Sequence, residues 1–298
     1  MKSSPTLAAV APYLWMLGGS ASFAVMGVLT GVAGHSLDWQ LIAVARTFLA
    51  LLLALALALS AGAKLVFFKP RTLWMRSIAG SISLVGNFYA LTQLPVSDVL
   101  TVTNMFPLWV AILSWPLLGD RPAADTWIAA IIGICGVALV QQPHFEHGGL
   151  ALAAATWSSF TSAIALIGLH RLHGVDARSV VAHFSGVSLA FCCAAWLLFA
   201  RPHQNAEIST PGLALLVGIG LSATAGQLLL TKAFAAGPPA RVSVVNLSQV
   251  GFAALIERFF FGREFSATTL LGMVLVLAPT AWILFRRLPA RAVDRVSD

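Results

Sequence analysis

The sequence predicts an all-α polytopic membrane protein of ten transmembrane helices in two inverted five-helix repeats. Composition is the first observation. Of the 298 residues, 58% are apolar or aromatic and only 10% are charged, with a mean hydropathy of +0.87. A soluble domain is about 45–50% apolar and about 25% charged, so this chain has too few charges to cover a water-facing surface. Spacing is the second: the chain divides into about ten units of roughly 28–30 residues, each one apolar crossing of about 20 residues plus a short turn. The third is internal, because the second half repeats the breaks of the first. A disordered chain, a collagenous chain and an ordinary soluble enzyme are excluded.

The elements follow in order. The first helix, 13–33, is too long for the apolar core of a signal peptide, and its Gly27 and Gly31 are spaced to let another helix approach. Gly34-His35-Ser36 turns the chain into the second, 39–61, and Gly62 to Pro70 leads to the third, 74–94. Leu94-Pro95 precedes the fourth, 97–118, and Gly119 to Pro122 the fifth, 124–141, where Gly133 and Gly136 read as packing residues. Gln142 to Gly149 joins the halves. The remaining helices are expected at 149–169, 178–199, 211–235, 240–260 and 267–286. Residues 1–141 thus form the first repeat, 149–286 the second, and 287–298 a basic cytoplasmic tail. No loop is long enough for an appended domain. Cys135, Cys192 and Cys193 lie in apolar runs without ligand spacing and read as small hydrophobes, so no metal and no cofactor is expected.

Charge placement orients the chain. With the N-terminus cytoplasmic and helices alternating, thirteen of the 18 Lys and Arg, Arg76 among them, fall on the inner side. Three fall outside, and Arg46 and Lys232 lie within helices. Cytoplasmic loops are the ones enriched in Lys and Arg, so the bias favours both termini inside. The net charge of +7 does not indicate nucleic acid, because no basic stripe is interleaved with solvent-facing aromatics.

The repeat is visible residue by residue. Shifted by 143 positions, residues 90–121 meet 233–264 without a gap: Ala90 meets Ala233, Pro95 meets Pro238, and Gly119 meets Gly262. Ser22-Phe23 meets Ser159-Phe160 at an offset of 137. Five helices per half, an odd number, place the second half upside down. Inverted repeats recur in secondary carriers, with the substrate site between the halves near mid-membrane.

The run from Ala90 through Pro95 to Leu118-Gly119-Asp120-Arg121, and its partner from Ala233 to Phe261-Gly262-Arg263-Glu264, resemble the drug/metabolite transporter superfamily, EamA type. Arg46 matches that family's arginine in the second helix, and His183 stands at the corresponding place in the second half. Within the superfamily the chain is similar to the YddG-type exporters of aromatic and other amino acids. The resemblance implies a multi-pass protein of a bacterial inner (plasma) membrane with both termini cytoplasmic. It also implies export, since the residues themselves encode no direction.

The chemical inventory excludes an enzyme: there is no GxxxxGK loop, no GxSxG elbow and no HExxH. No carboxylate pair lies in the middle of a helix, which favours a facilitator or coupling through a group such as His183. Site candidates are polar side chains in membrane-spanning helices, because hydrocarbon cannot satisfy them. Helix four offers Thr101, Thr103 and Asn104 before Pro107, which frees the carbonyl of Thr103 and can act as a hinge. Helix nine offers Ser243, Asn246 and Gln249 at a spacing of three, roughly on one face. Asn87, Tyr89, Ser159 and Gln227 join this substrate-binding set, with Trp109 and Trp157 as stacking walls; the alternative is interhelical hydrogen bonding for the polar residues and lipid-facing packing for the two tryptophans. Arg46, His183 and Lys232 are the charge-site candidates. Lys232 reads more simply as snorkelling to the surface, His183 as a helix-end histidine, and Arg46 as a tie to backbone carbonyls. Pro279 is a second hinge candidate.

The expected function is a monomeric secondary transporter that exports amino acids, aromatic and other neutral ones, by alternating access through a central cavity. The expected partners are a small-molecule substrate and the lipid bilayer. The rivals are an exporter of hydrophobic or quaternary-ammonium compounds, a channel, and a membrane scaffold that transports nothing.

Overall fold

The computed structural model describes residues 5–144, 149–199, 209–262 and 264–285; the expected 287–298 tail lies outside them. They form twelve α-helices, with no strand among the described residues. These are α1 (Pro5–Ala33), α2 (Trp39–Ser60), α3 (Arg71–Gln93), α4 (Val96–Thr103), α5 (Phe106–Leu118) and α6 (Ala124–Gln141). In the second half follow α7 (Leu150–His170), α8 (Ala177–Phe199), α9 (Thr210–Ala236), α10 (Pro239–Asn246), α11 (Ser248–Phe261) and α12 (Ala267–Phe285).

Among the described residues nine stretches are long and apolar enough to cross a membrane, where the sequence expects ten. Two of the nine, Val96–Leu118 and Pro239–Phe261, each contain a pair of short helices in line. The stretch that falls outside the nine is α3. Its 23 residues give about 34 Å at 1.5 Å per residue, enough for a hydrocarbon core of about 30 Å. It is less apolar because Arg76, Ser77, Ser81 and Ser83 are buried against other helices rather than offered to lipid.

The helices pair in a repeating pattern. Helix α1 lies along α9 as α3 lies along α7; α2 pairs with α8 and α6 with α12. Helix α1 also packs on the broken pair α10–α11, and α7 on the broken pair α4–α5. Exchanging the elements of one half for those of the other reproduces this set of neighbours. Small residues set the closest approaches, as dispersion-driven packing in lipid requires. A Cβ on Gly136 would lie 2.7 Å from the Gly272 carbonyl oxygen, so α6 and α12 touch backbone to backbone. Gly133 is similarly confined by Leu247. Gly27 and Gly31 depart from expectation: a Cβ on either would meet nothing within 4 Å, so that spacing faces open space instead of a helix. The helix exteriors carry exposed Leu197, Phe259, Phe260 and Phe285, the surface a hydrocarbon solvent stabilises.

Polar contacts tie the helix ends into two groups. At one end, Arg171 after α7 donates to the Leu117 carbonyl of α5, and Arg241 of α10 reaches Asp125 (3.8 Å) and Thr126 at the start of α6. Ser179 of α8 donates to the Lys64 carbonyl before α3 (2.9 Å). Here Asp176 accepts from the Arg178 guanidinium at 2.8 Å, which holds its carboxyl below the usual range. At the other end, Asp98 of α4 accepts from the His144 amide (2.9 Å), and Gln142 donates to Thr268 in the first turn of α12 (2.7 Å).

Candidate functional site

The two broken helices meet in the centre, where α10 packs against α5. Their breaks have different origins. Pro107 at the second position of α5 has no N–H, so the Thr103 carbonyl loses its helical donor, as the sequence predicts. Ser159 of α7 supplies one instead, its Oγ donating to Thr103 O at 3.1 Å. In the second half the residue equivalent to Pro107 is Val250, whose N–H turns to Leu247 O (3.0 Å). The Asn246 carbonyl then accepts from Ser20 Oγ of α1 (3.3 Å), and Ser20 also lies 3.4 Å from Asn246 Oδ1. Ser20 and Ser159 therefore do the same work in the two halves. The sequence alignment had matched Ser22 with Ser159, but Ser22 bonds the Gly18 carbonyl in its own helix.

The predicted polar residues divide into two groups. Asn104 and Gln249, one from each half, face one another, with Gln249 Nε2 3.5 Å from Asn104 Oδ1. Asn104 also donates to the Leu100 carbonyl at 2.7 Å, and Asn246 is buried beside the second break. These three amides form the centre of the candidate site. Thr101, Thr103 and Ser243 donate their hydroxyl hydrogens to their own helices, to Ser97 O, Val99 O and Ala240 O at 2.8, 2.8 and 2.7 Å. A hydroxyl whose proton is so spent offers a solute only its lone pairs. Ser159 is likewise committed to Thr103. Asn87 on α3 is half-buried and its Oδ1 has no hydrogen-bond partner; Tyr89 is half-buried two residues on.

The aromatic walls are less central than expected. Trp157 is 57% exposed on the outside of α7, its ring tilted against Phe160 at 5.4 Å, and so faces the lipid side. Trp109 is half-buried and meets the edge of the same Phe160 at 5.5 Å. Pro279 is buried inside an α12 that continues without a break.

The charge candidates scatter. Lys232 is exposed on α9 at the end that carries Asp176, the snorkelling position. Arg46 is half-buried in α2 beside Cys192 of α8. His183 is buried, not at a helix-end surface: its Nδ1 lies 2.8 Å from Ser77 Oγ, and Trp74 stands edge-on at 4.8 Å. The Phe67 backbone, in the segment before α3, also hydrogen-bonds the His183 ring.

The residue that sequence reasoning misplaced is Arg76. Counted above as an inner-surface charge, it is 4% exposed, the sixth residue of α3. Its Nη2 donates to Gln227 Oε1 of α9 at 3.1 Å, and its guanidinium carbon lies 3.9 Å from the centroid of the Phe184 ring of α8. Gly80, one turn along α3, makes the room: a Cβ there would lie 2.8 Å from Phe184 Cε2 and would strike Arg76 itself. Among the described residues no carboxylate lies within salt-bridge distance of Arg76, and its Nε has no partner. A neutral amide and an aromatic face are worth about 1.5–3 and about 2 kcal/mol to a buried cation, against a desolvation cost of several kcal/mol. The depth argument applied to Arg46 would have found Arg76, had α3 been started at Arg71 rather than at 74.

Two halves, paired through equivalent helices and meeting at two broken segments, form an arrangement with known relatives. Residues 10–141 and 148–285 each match the EamA-like transporter family. The chain belongs to that family. It is 26% identical over 263 residues to the pseudopaline exporter CntI of Pseudomonas aeruginosa (strain UCBPP-PA14), covering 87% of this chain and 90% of the exporter. It is 22% identical over 200 residues to the S-adenosylmethionine uptake transporter of Rickettsia felis, 66% of each chain. A crystal structure of a protein superposes with a TM-score of 0.78 at 17% identity, covering 95% of this chain and 99% of the other, which shows the fold. This is a multi-pass membrane protein of a transporter family, as the resemblance in the sequence implied.

Proposed function

We propose that this chain is a secondary transporter of a small organic solute carrying both hydrogen-bonding and apolar parts, an amino acid or a related metabolite. Ten crossings, α3 included, form two oppositely inserted halves that rock about the Asn104–Gln249 contact. The protein works as a monomer in a bacterial inner membrane with both termini cytoplasmic. The observation that carries this reading is the pair of broken helices facing each other across the halves, each with a carbonyl released from its ladder. Irregular backbone at membrane depth is tolerated where protein or a hydrated cavity surrounds it, and carriers place their sites there. The neutral amides Asn104, Asn246 and Gln249 suit the ammonium and other hydrogen-bonding groups of an amino acid. The relatives include a protein named an exporter and one named an uptake transporter, so export rests on the resemblance to amino-acid exporters. An aromatic cage for quaternary ammonium has less support, since Trp157 faces outward.

Reconstitution tests it. Proteoliposomes containing the full chain should take up labelled amino acids with saturation, and a competition panel run with and without a pH gradient identifies the solute and any proton coupling. Asn246→Ala and Gln249→Ala should each raise KM about tenfold, the loss of one hydrogen bond to a charged group. Non-saturating flux would make the protein a channel, and no flux of any solute a scaffold. Unchanged kinetics in both variants would remove the central amides from the site.

A further inference from the structure

The strongest feature outside the broken helices is the buried Arg76. It sits on α3 of the first half and reaches α9 of the second through Gln227, 151 positions away in sequence. Arginine stays charged in proteins, so this side chain carries a full positive charge into a helix interface. A family of helices with this little polarity does not keep a buried cation for packing, since Leu or Met would fill the space without the desolvation cost. The guanidinium is planar with five N–H donors in a fork that matches a carboxylate bidentately. One of those donors is taken by the Gln227 amide oxygen, a neutral stand-in for an anion, and the Nε donor has no acceptor. The guanidinium is held against the Phe184 ring of α8. The Nε donor of Arg76 is thus left open in the α3–α8–α9 interface, while no carboxylate of the protein reaches Arg76 among the described residues.

We infer that Arg76 is the docking group for the carboxylate of the transported solute, and that Gln227 holds the guanidinium in place while the site is empty. This deepens the transport reading and rests on it. Phe184 fixes the plane of the fork and Gly80 leaves the space for it. Since Arg76 and Gln227 belong to different halves, a solute oxygen that replaces Gln227 Oε1 loosens a contact between the halves when it binds. That couples occupancy to the relative movement of the halves. Such a site takes acids and rejects their amides and esters, whatever the rest of the solute is.

The test uses the purified full chain in detergent and in proteoliposomes. Its probes are L-phenylalanine, L-phenylalaninamide, L-glutamate, citrate and inorganic phosphate. At least one of the three carboxylates should raise the unfolding midpoint of the wild type, and where phenylalanine does so its amide should bind at least tenfold more weakly. Arg76→Met should abolish that shift while its own probe-free midpoint stays level or rises, because an unpaired buried charge has been removed. Arg76→Lys should keep a weakened shift. A probe-free midpoint that falls in Arg76→Met would make Arg76 a structural tie and overturn the inference. So would a carboxylate shift that survives in that variant, an amide that binds as well as its acid, or no carboxylate shift at all. A shift given by phosphate alone would overturn the solute-carboxylate assignment in favour of an inorganic oxyanion. Saturable uptake is scored separately. A shift that depends on Arg76 without flux of any probe would sink the transport reading and leave the carboxylate site standing.

Discussion

Two serine hydroxyls decide how the broken helices are held. Ser159 and Ser20 each donate to a carbonyl left without its helical partner, Thr103 O at 3.1 Å and Asn246 O at 3.3 Å. In hydrocarbon an unsatisfied carbonyl has no water to turn to, so the tie replaces a missing ladder bond rather than adding to a complete one. Measured interhelical bonds of this kind average about 0.6 kcal/mol, with a maximum near about 1.7. Ser159→Ala and Ser20→Ala should therefore each lower the unfolding midpoint of the purified protein by about 1–3 °C. The two losses should add in the double variant, because the ties hold different broken helices and share no partner. Ser22→Ala, whose hydroxyl serves only its own helix, is the control and should leave the midpoint unchanged. An equal drop in the control would mean that the serines act through helix propensity.

At the scale of elements, what the sequence could reveal depended on whether the cause was local. The break in helix four was legible because proline removes an N–H wherever it stands. The break in helix nine was not: Val250 has its N–H, and the turn at Leu247 goes with a contact from α1, far away in sequence. The amides Asn104, Asn246 and Gln249 were legible as residues that hydrocarbon penalises, whereas their threonine and serine neighbours proved to serve their own backbones. Glycine spacing carried the least information. Gly27 and Gly31 match a packing motif and face open space, while Gly136 and Gly272 are the residues that bring two helices into contact. Valine at position 136 would drive its Cβ to 2.7 Å from the Gly272 carbonyl. Gly136→Val should then cost about 1–3 kcal/mol through overpacking at the α6–α12 seam. Gly27→Val should be tolerated, and thermal unfolding of the two variants in one detergent reads the difference. Equal stability would mean that α6 and α12 do not pack as closely as described.

For the whole molecule, the status of α3 decides whether the halves can be inverted copies. Five crossings per half is odd and turns the second half over; four in the first half would leave the two parallel and place Arg76 outside the bilayer. Length permits the crossing, and apolarity understates it because α3 directs Ser77, Ser81, Ser83 and Arg76 at α7, α8 and α9. A helix whose polar groups are satisfied by its neighbours presents lipid with only its remaining face. Cysteine labelling separates the cases. Cys135, Cys192 and Cys193 are first replaced, and single cysteines are placed at the exposed Phe68, before α3, and the exposed Val96, after it. A membrane-impermeant maleimide applied to intact cells should label position 96 and spare position 68 until the membrane is opened. Cysteines at Ser36 and Ser209 should label with position 96, since both fall on the outer side when every helix through α8 crosses in turn, α4 and α5 together making one crossing. If positions 68 and 96 label from the same side, α3 is not a crossing, and the inverted repeat falls together with the membrane-embedded carboxylate site built on Arg76.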